Sequence, residues 1–183
     1  RALSLVATIA YTGIRRNEAL YLRVEDVDLE TGIVWLRDIP ERRLKTVGSG
    51  LPVPAPPELA AILKPWIAQA ETRWIFPGVR TRKPWHGGGP GSRPIDVLQA
   101  AEIDAEVTRH TNFHGLRHSW ATHAETLWGF TDAQIQRVLR HTQAATTARY
   151  KHADLVNLAK LGSRVTFRKP TPADDETGER ISA

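Results

Sequence analysis

The chain has 183 residues, 41% of them hydrophobic, with no cysteine and a formal net charge of +5 at pH 7. That length supplies one well-cored domain, the lack of cysteine excludes disulfides and thiolate zinc sites, and no apolar run is long enough to span a membrane as a helix. The charge is uneven: residues 171–183 hold Asp174, Asp175, Glu176 and Glu179 against Arg180, a local net of −3, which leaves +8 on residues 1–170.

In chain order, Leu3, Leu5, Val6, Ile9 and Ala10 predict a helix that stops at Thr12-Gly13, because glycine accommodates the left-handed turn that ends helices. A short helix is expected from Arg16 to Leu22. The period then changes: residues 33–38, 42–46 and 51–54 are short, β-branched or alternating runs separated by turn residues, which reads as a small antiparallel sheet. Pro56-Pro57 opens a helix through Ala70, and Trp74-Ile75-Phe76 is a brief extended piece. Residues 79–93 are rich in Gly, Pro and basic side chains and are expected to form a long mobile loop. Helices are expected at 94–107, 113–128, 132–140 and 146–150, with a flexible tail at 170–183.

The fold class is therefore α+β, mainly α, with a helical core and a small three-stranded antiparallel sheet. Residues 1–169 form the expected domain. The chain begins at Arg1 and holds no methionine, so a preceding segment is expected. The paired cations Arg15/Arg16, Arg42/Arg43 and Arg82/Lys83 favour a polyanionic partner. The absence of cysteine suits the cytoplasm.

Residues 109–123, RHTNFHGLRHSWATH, contain four of the seven histidines, with His110/His114 and His114/His118 each four apart. Such pairs on a helix can bind zinc, but neither encloses the carboxylate of the HExxH pattern. Thr111 and Asn112 are natural N-caps, so the helix starts at Phe113 and His110 falls outside it. His114 and Arg117 then sit in the first turns, where the helix dipole is already positive and a cation is disfavoured unless an anion completes the arrangement. A phosphate is such an anion. His118, Trp120 and His123 are read as the packed or hydrogen-bonding side of this helix, and Trp66 and Trp74 as core.

Together with TGIRRNEAL (12–20), LKTVGSGLPVP (44–54) and VLRHTQAATTARYKH (138–152), this stretch resembles, in order and spacing, the catalytic domain of the tyrosine recombinase (phage integrase) family, over about residues 2–160. The family pattern has an arginine in a TGxRxxE turn, a lysine on a β-hairpin, an HxxR pair, a histidine ending an LGH-like stretch, and a tyrosine soon after. Carried over, Arg15 matches the first arginine, Lys45 the hairpin lysine, His114 and Arg117 the HxxR pair, His141 the next histidine and Tyr150 the nucleophile. Glu18 matches an acid expected to hold its loop. Two features depart from the pattern: Arg140 stands where the family usually has glycine, and no basic side chains follow Lys45 in the hairpin.

The resemblance implies breakage and rejoining of double-stranded DNA through a covalent 3′-phosphotyrosine, without cofactor or metal. It implies that an N-terminal DNA-binding domain completes a clamp around DNA, that the full-length protein acts as a homo-tetramer on DNA, and that it is nucleoid-associated when bound. Two alternatives are a type IB topoisomerase-like enzyme and a DNA-binding relative without activity.

Overall fold

Helix α1 (Ala2–Thr12) ends where the sequence places its stop. Gly13 takes a φ of +65°, and its N–H donates to the Ile9 carbonyl at 2.9 Å. The computed structural model describes residues 2–42, 51–78, 81–85, 93–104, 111–139 and 155–167. Leu5 and Ile9 on α1 are fully buried, which stabilises the fold by about 2 kcal/mol each. The buried hydroxyls of Thr8 and Thr12 bond back to the carbonyls of Ser4 and Thr8, so these polar groups cost little inside the core.

Gly13 also sits where three helices meet. A Cβ there would stand 2.8 Å from Leu139 Cδ2 and 2.9 Å from Trp120 Cδ2, below any ordinary carbon contact. Gly13→Ala therefore combines a left-handed backbone with overpacking and is expected to destabilise the fold by about 3 kcal/mol. Urea denaturation measures this; a loss below about 1 kcal/mol would show that α5 and α6 give way.

Helix α2 (Arg16–Leu20) leads through a 3₁₀ turn (Val24–Asp26) into strand β1 (Val27–Asp28). Strands β2 (Ile33–Leu36) and β3 (Leu51–Pro54) complete an antiparallel sheet in the order β1-β2-β3, with Val27 opposite Val34 and Val34 opposite Val53. The described sheet has three strands: β2 and β3 fall within the expected runs 33–38 and 51–54, Val27–Asp28 is a strand beyond those expected, and the expected run at 42–46 lies mostly outside the described residues. Of that run only Arg42 is described, and it closes a tight turn onto Ile39. A two-residue strand shows no alternation to read. Its pairing is set instead by the β1–β2 turn, where Asp28 Oδ1 accepts from the N–H groups of Glu30 and Thr31 and Gly32 takes a φ of +66°. Pro52 and Pro54 are tolerated because β3 is an edge strand.

Helix α3 (Pro57–Ala68) carries proline in its first turn, as expected. Part of the expected mobile loop is packed: Trp85 is buried and its N–H donates to the Phe76 carbonyl at 2.9 Å. Indole burial there outweighs the loop-like composition around it. Residues 79–80 and 86–92 lie outside the described residues. Helices α4 (Pro94–Asp104), α5 (Phe113–Thr126) and α6 (Asp132–Leu139) follow. The start of α6 is held by a reciprocal pair, with Thr131 N–H donating to Gln134 Oε1 and Gln134 N–H to Thr131 Oγ1. Leu5, Ile9, Leu59, Phe76, Trp120 and Leu139 meet in a single core.

The expected helix at 146–150 lies outside the described residues. An unexpected helix, α7 (Leu155–Gly162), packs on β3; a Cβ at Gly162 would be 2.8 Å from Pro54 Cβ. Beyond it the chain turns back onto α1 and α5: Trp128 Nε1–H donates to the Thr166 carbonyl, and Phe167 lies edge-on to Tyr11 and Trp128. Among the described residues no helix is long and apolar enough to cross a membrane.

Candidate DNA strand-exchange site

Arg15 is the N-cap of α2. Glu18 closes a ring with it, Oε2 accepting from the Arg15 backbone N–H at 2.7 Å and Oε1 from Nη1 at 3.2 Å. The Glu18 carboxylate is buried while the Arg15 side chain is 40% exposed, so the acid fixes one edge of the guanidinium and leaves a large part of it to solvent. A negative side chain in the first turn also complements the α2 dipole.

The start of α5 is built as its sequence implies. Asn112 caps the helix, its Oδ1 accepting from Gly115 N–H at 2.8 Å, and Thr111 N–H donates to the buried Glu102 on α4 at 2.9 Å. Glycine at 115 leaves room for this cap, since a Cβ there would run into Thr111 Oγ1 and force that side chain to move. The register this cap sets turns Phe113, Arg117 and Trp120 inward and leaves His114 and His118 exposed.

Arg117 is 5% exposed, and it ties three elements together. Its Nη1 donates to the Gly13 carbonyl at 2.5 Å and its Nη2 to the Leu139 carbonyl. Gly13 lies two residues before Arg15, and Leu139, at the end of α6, lies two residues before His141. The last carbonyls of a helix have no intrahelical donor and carry the negative end of its dipole, so a buried cation is well matched there. Lys45, His141 and Tyr150 lie outside the described residues.

Of the two expectations for His118, packed or hydrogen-bonding, the structure gives the second: the side chain is exposed. Its Nε2 lies 2.8 Å from His114 Nε2. The i, i+4 spacing of the two histidines is the sequence signal for this contact.

A second polar cluster supports the root of the segment that leads to Lys45. Asp26 is almost fully buried, meets Arg37 Nε at 2.8 Å and accepts from the Arg23 backbone N–H at 3.1 Å. Burial pushes its carboxyl above the ordinary 3.8, opposed by the Arg23 N–H and the Arg37 charge. Arg42 is buried as well, and its Nη2 donates to the Arg37 carbonyl at 2.7 Å. Burial pulls its guanidinium below the ordinary arginine value, while the charges of Glu18, Asp26 and Asp38 work against the shift. The same Glu18 that fixes Arg15 thus lies within the field of Arg42.

A carboxyl whose folded value is raised binds its proton more tightly folded than unfolded. Its contribution to stability is therefore fullest below 3.8 and declines as pH rises through the folded value. The wild type is expected to lose stability relative to Asp26→Asn as pH rises from about 4 towards neutrality. Urea melts across that range check the sign; the opposite trend would mean that Arg37 and the Arg23 N–H outweigh burial.

The geometry defines a class: a mainly helical α+β domain in which a half-exposed arginine, an exposed histidine and a buried arginine are brought together at the junction of α1, α2, α5 and α6. The phage integrase family model matches residues 1–155. The chain is 30% identical over 167 residues to the tyrosine recombinase XerC of Xanthomonas campestris pv. campestris (strain B100), covering 88% of this chain and 47% of that protein. Among solved structures it resembles the integrase from mycobacterium phage Brujita, with a TM-score of 0.63 at 19% identity, covering 93% of this chain and 54% of that one. It also resembles the XerH site-specific recombinase bound to its difH substrate in a pre-cleavage complex, with a TM-score of 0.56 at 20% identity, covering 92% and 44%. The chain belongs to the phage integrase family. It spans about half the length of the curated relatives it matches.

Proposed function

We propose that this chain is the catalytic part of a site-specific DNA recombinase that cuts and rejoins strands through a 3′-phosphotyrosine on Tyr150. One observation carries the reading: Arg117 is hydrogen-bonded to the carbonyls of Gly13 and Leu139, so the turn bearing Arg15, the start of α5 and the end of α6 share one site. The pre-cleavage complex of the structurally similar XerH supports double-stranded DNA as the partner.

In this mechanism the Tyr150 oxygen attacks the scissile phosphorus and the 5′-oxygen departs. Negative charge grows on the non-bridging oxygens, where permanently charged, planar guanidinium groups are most effective. Arg15 offers its solvent-facing edge. Arg117 contributes its field and its N–H groups, for which the phosphate competes with the two carbonyls. His114 takes the tyrosine proton, since a phenol of pKa about 10 is a poor nucleophile at neutral pH. Lys45 protonates the departing oxygen, His141 hydrogen-bonds the phosphate, and rejoining reverses each transfer. The phosphotyrosine ester conserves the energy of the broken bond, so the step balances without an external energy source. The full-length protein would assemble as a tetramer on DNA.

A nicked duplex that loses the short fragment carrying the freed 5′-hydroxyl on cleavage cannot be religated, so it traps the intermediate. Covalent capture of such duplexes from a randomised pool, followed by mass-spectrometric mapping, is expected to place the adduct on Tyr150. An adduct on another residue would sink the assignment. Relaxation of supercoiled DNA without site preference would point to a topoisomerase IB-like activity, and binding without capture to a non-catalytic relative.

A further inference from the structure

His114 and His118 lie one turn apart on the exposed side of α5, their rings edge to face with centroids 4.3 Å apart and their Nε2 atoms 2.8 Å apart. Two imidazole nitrogens at that distance share a proton, because two lone pairs would repel and two N–H groups would collide. A pair of histidines on one tetrahedral zinc stands further apart, about 3.4 Å from bond lengths of about 2.1 Å. Among the described residues no group of three side chains forms a metal site. The separation therefore fits a hydrogen bond better than a ligand pair.

A neutral imidazole carries one ring proton, so this bond dictates the tautomer of both rings. Were His118 the donor, Nε2 of His114 would be occupied by the incoming proton and its Nδ1 would carry its own, leaving no basic nitrogen on the residue that must accept one. With His114 as donor, its Nδ1 keeps a lone pair. We propose that His118 is a positioning residue for strand cleavage: it accepts the Nε2–H of His114 and so makes Nδ1 of His114 the basic nitrogen. This rests on the assignment of His114 as the base for Tyr150.

The proton count closes. The tyrosine proton moves to His114 Nδ1, His114 becomes an imidazolium, and its Nε2–H remains bonded to the neutral Nε2 of His118. That bond becomes charge-assisted when the proton arrives, so it is stronger in the transition state than at rest, and only such a difference accelerates a reaction. The partner of the base here is a second neutral imidazole rather than a carboxylate. It orients the base without adding negative charge beside a phosphate.

The test has two parts. Long-range ¹H–¹⁵N spectra of the ¹⁵N-labelled chain without DNA, at about pH 8.5 where imidazoles are neutral, report the tautomers directly. His114 is expected as the Nε2–H form and His118 as the less common Nδ1–H form. His118→Leu is expected to slow cleavage of a nicked duplex captured by the wild-type chain about tenfold, the effect of one hydrogen bond in the transition state. His118→Gln, whose amide oxygen still accepts, is expected to restore the rate to within about threefold. Thermal melts check that both variants fold, as expected for an exposed position.

Finding His114 as Nδ1–H or His118 as Nε2–H overturns the proposal even when the wild type captures DNA. Equal cleavage by the leucine and glutamine variants overturns it as well. If the expected tautomers are found in a chain that captures no DNA, the recombinase assignment fails instead, and with it the role in cleavage.

Discussion

Arg117→Met is expected to remove about 3 kcal/mol of stability and to reduce strand cleavage by at least about 10³-fold. The stability term follows from the two backbone carbonyls that the guanidinium satisfies, Gly13 and Leu139, in buried bonds. Each acceptor left without a partner costs about 1–3 kcal/mol, and the methionine side chain recovers part of that by packing against the same core. Arg117→Lys keeps the charge but has no planar fork to reach two carbonyls on different elements, so it is expected to retain roughly half of the lost stability and little of the activity. Chemical denaturation and covalent capture measure the two effects separately. A methionine variant as stable as the wild type would show that the three elements hold together without this bridge.

Tyr150→Phe is expected to abolish the covalent adduct, by about 10⁴-fold or more, while DNA affinity stays within about threefold. In the proposed mechanism the tyrosine hydroxyl oxygen forms the bond to phosphorus, and no acid–base or electrostatic group can replace it. Affinity depends mainly on cations facing phosphates, and phenylalanine leaves every one of them in place. Loss of binding in parallel with loss of the adduct would mean that Tyr150 supports structure rather than chemistry. Retention of the adduct would move the nucleophile to another residue.

Much of the fold was legible because local signals agreed. Thr12-Gly13 stops α1, Asn112 caps α5, and Pro57 opens α3 where the sequence places them. The missed elements had weak local signals. Val27–Asp28 is too short to show alternation and pairs because the Asp28 turn returns the chain onto β2. Leu155–Gly162 is short and marginal in isolation, and it gains its stability from contact with β3. Trp85 was hidden by the Gly- and Pro-rich residues around it.

The site divides in the same way. Order and spacing in the chain were enough to single out Arg15, Lys45, His114, Arg117, His141 and Tyr150 and to point to their family, because residue types and intervals are linear information. Helical periodicity was enough to place His114 and Arg117 in the first turns of α5. Periodicity alone does not say which atoms a side chain meets. Only the packing of α5 against α1 and α6 shows Arg117 as a buried bridge between Gly13 and Leu139, since those carbonyls are brought to it by elements 104 and 22 residues away. The exposed contact between His114 and His118 likewise depends on side-chain rotamers as well as spacing. The sequence determined which residues are candidates for the chemistry; the tertiary structure decided which of the described ones is held by carbonyls, which by a carboxylate and which by another imidazole, because hydrogen-bond partners are set by distance in space.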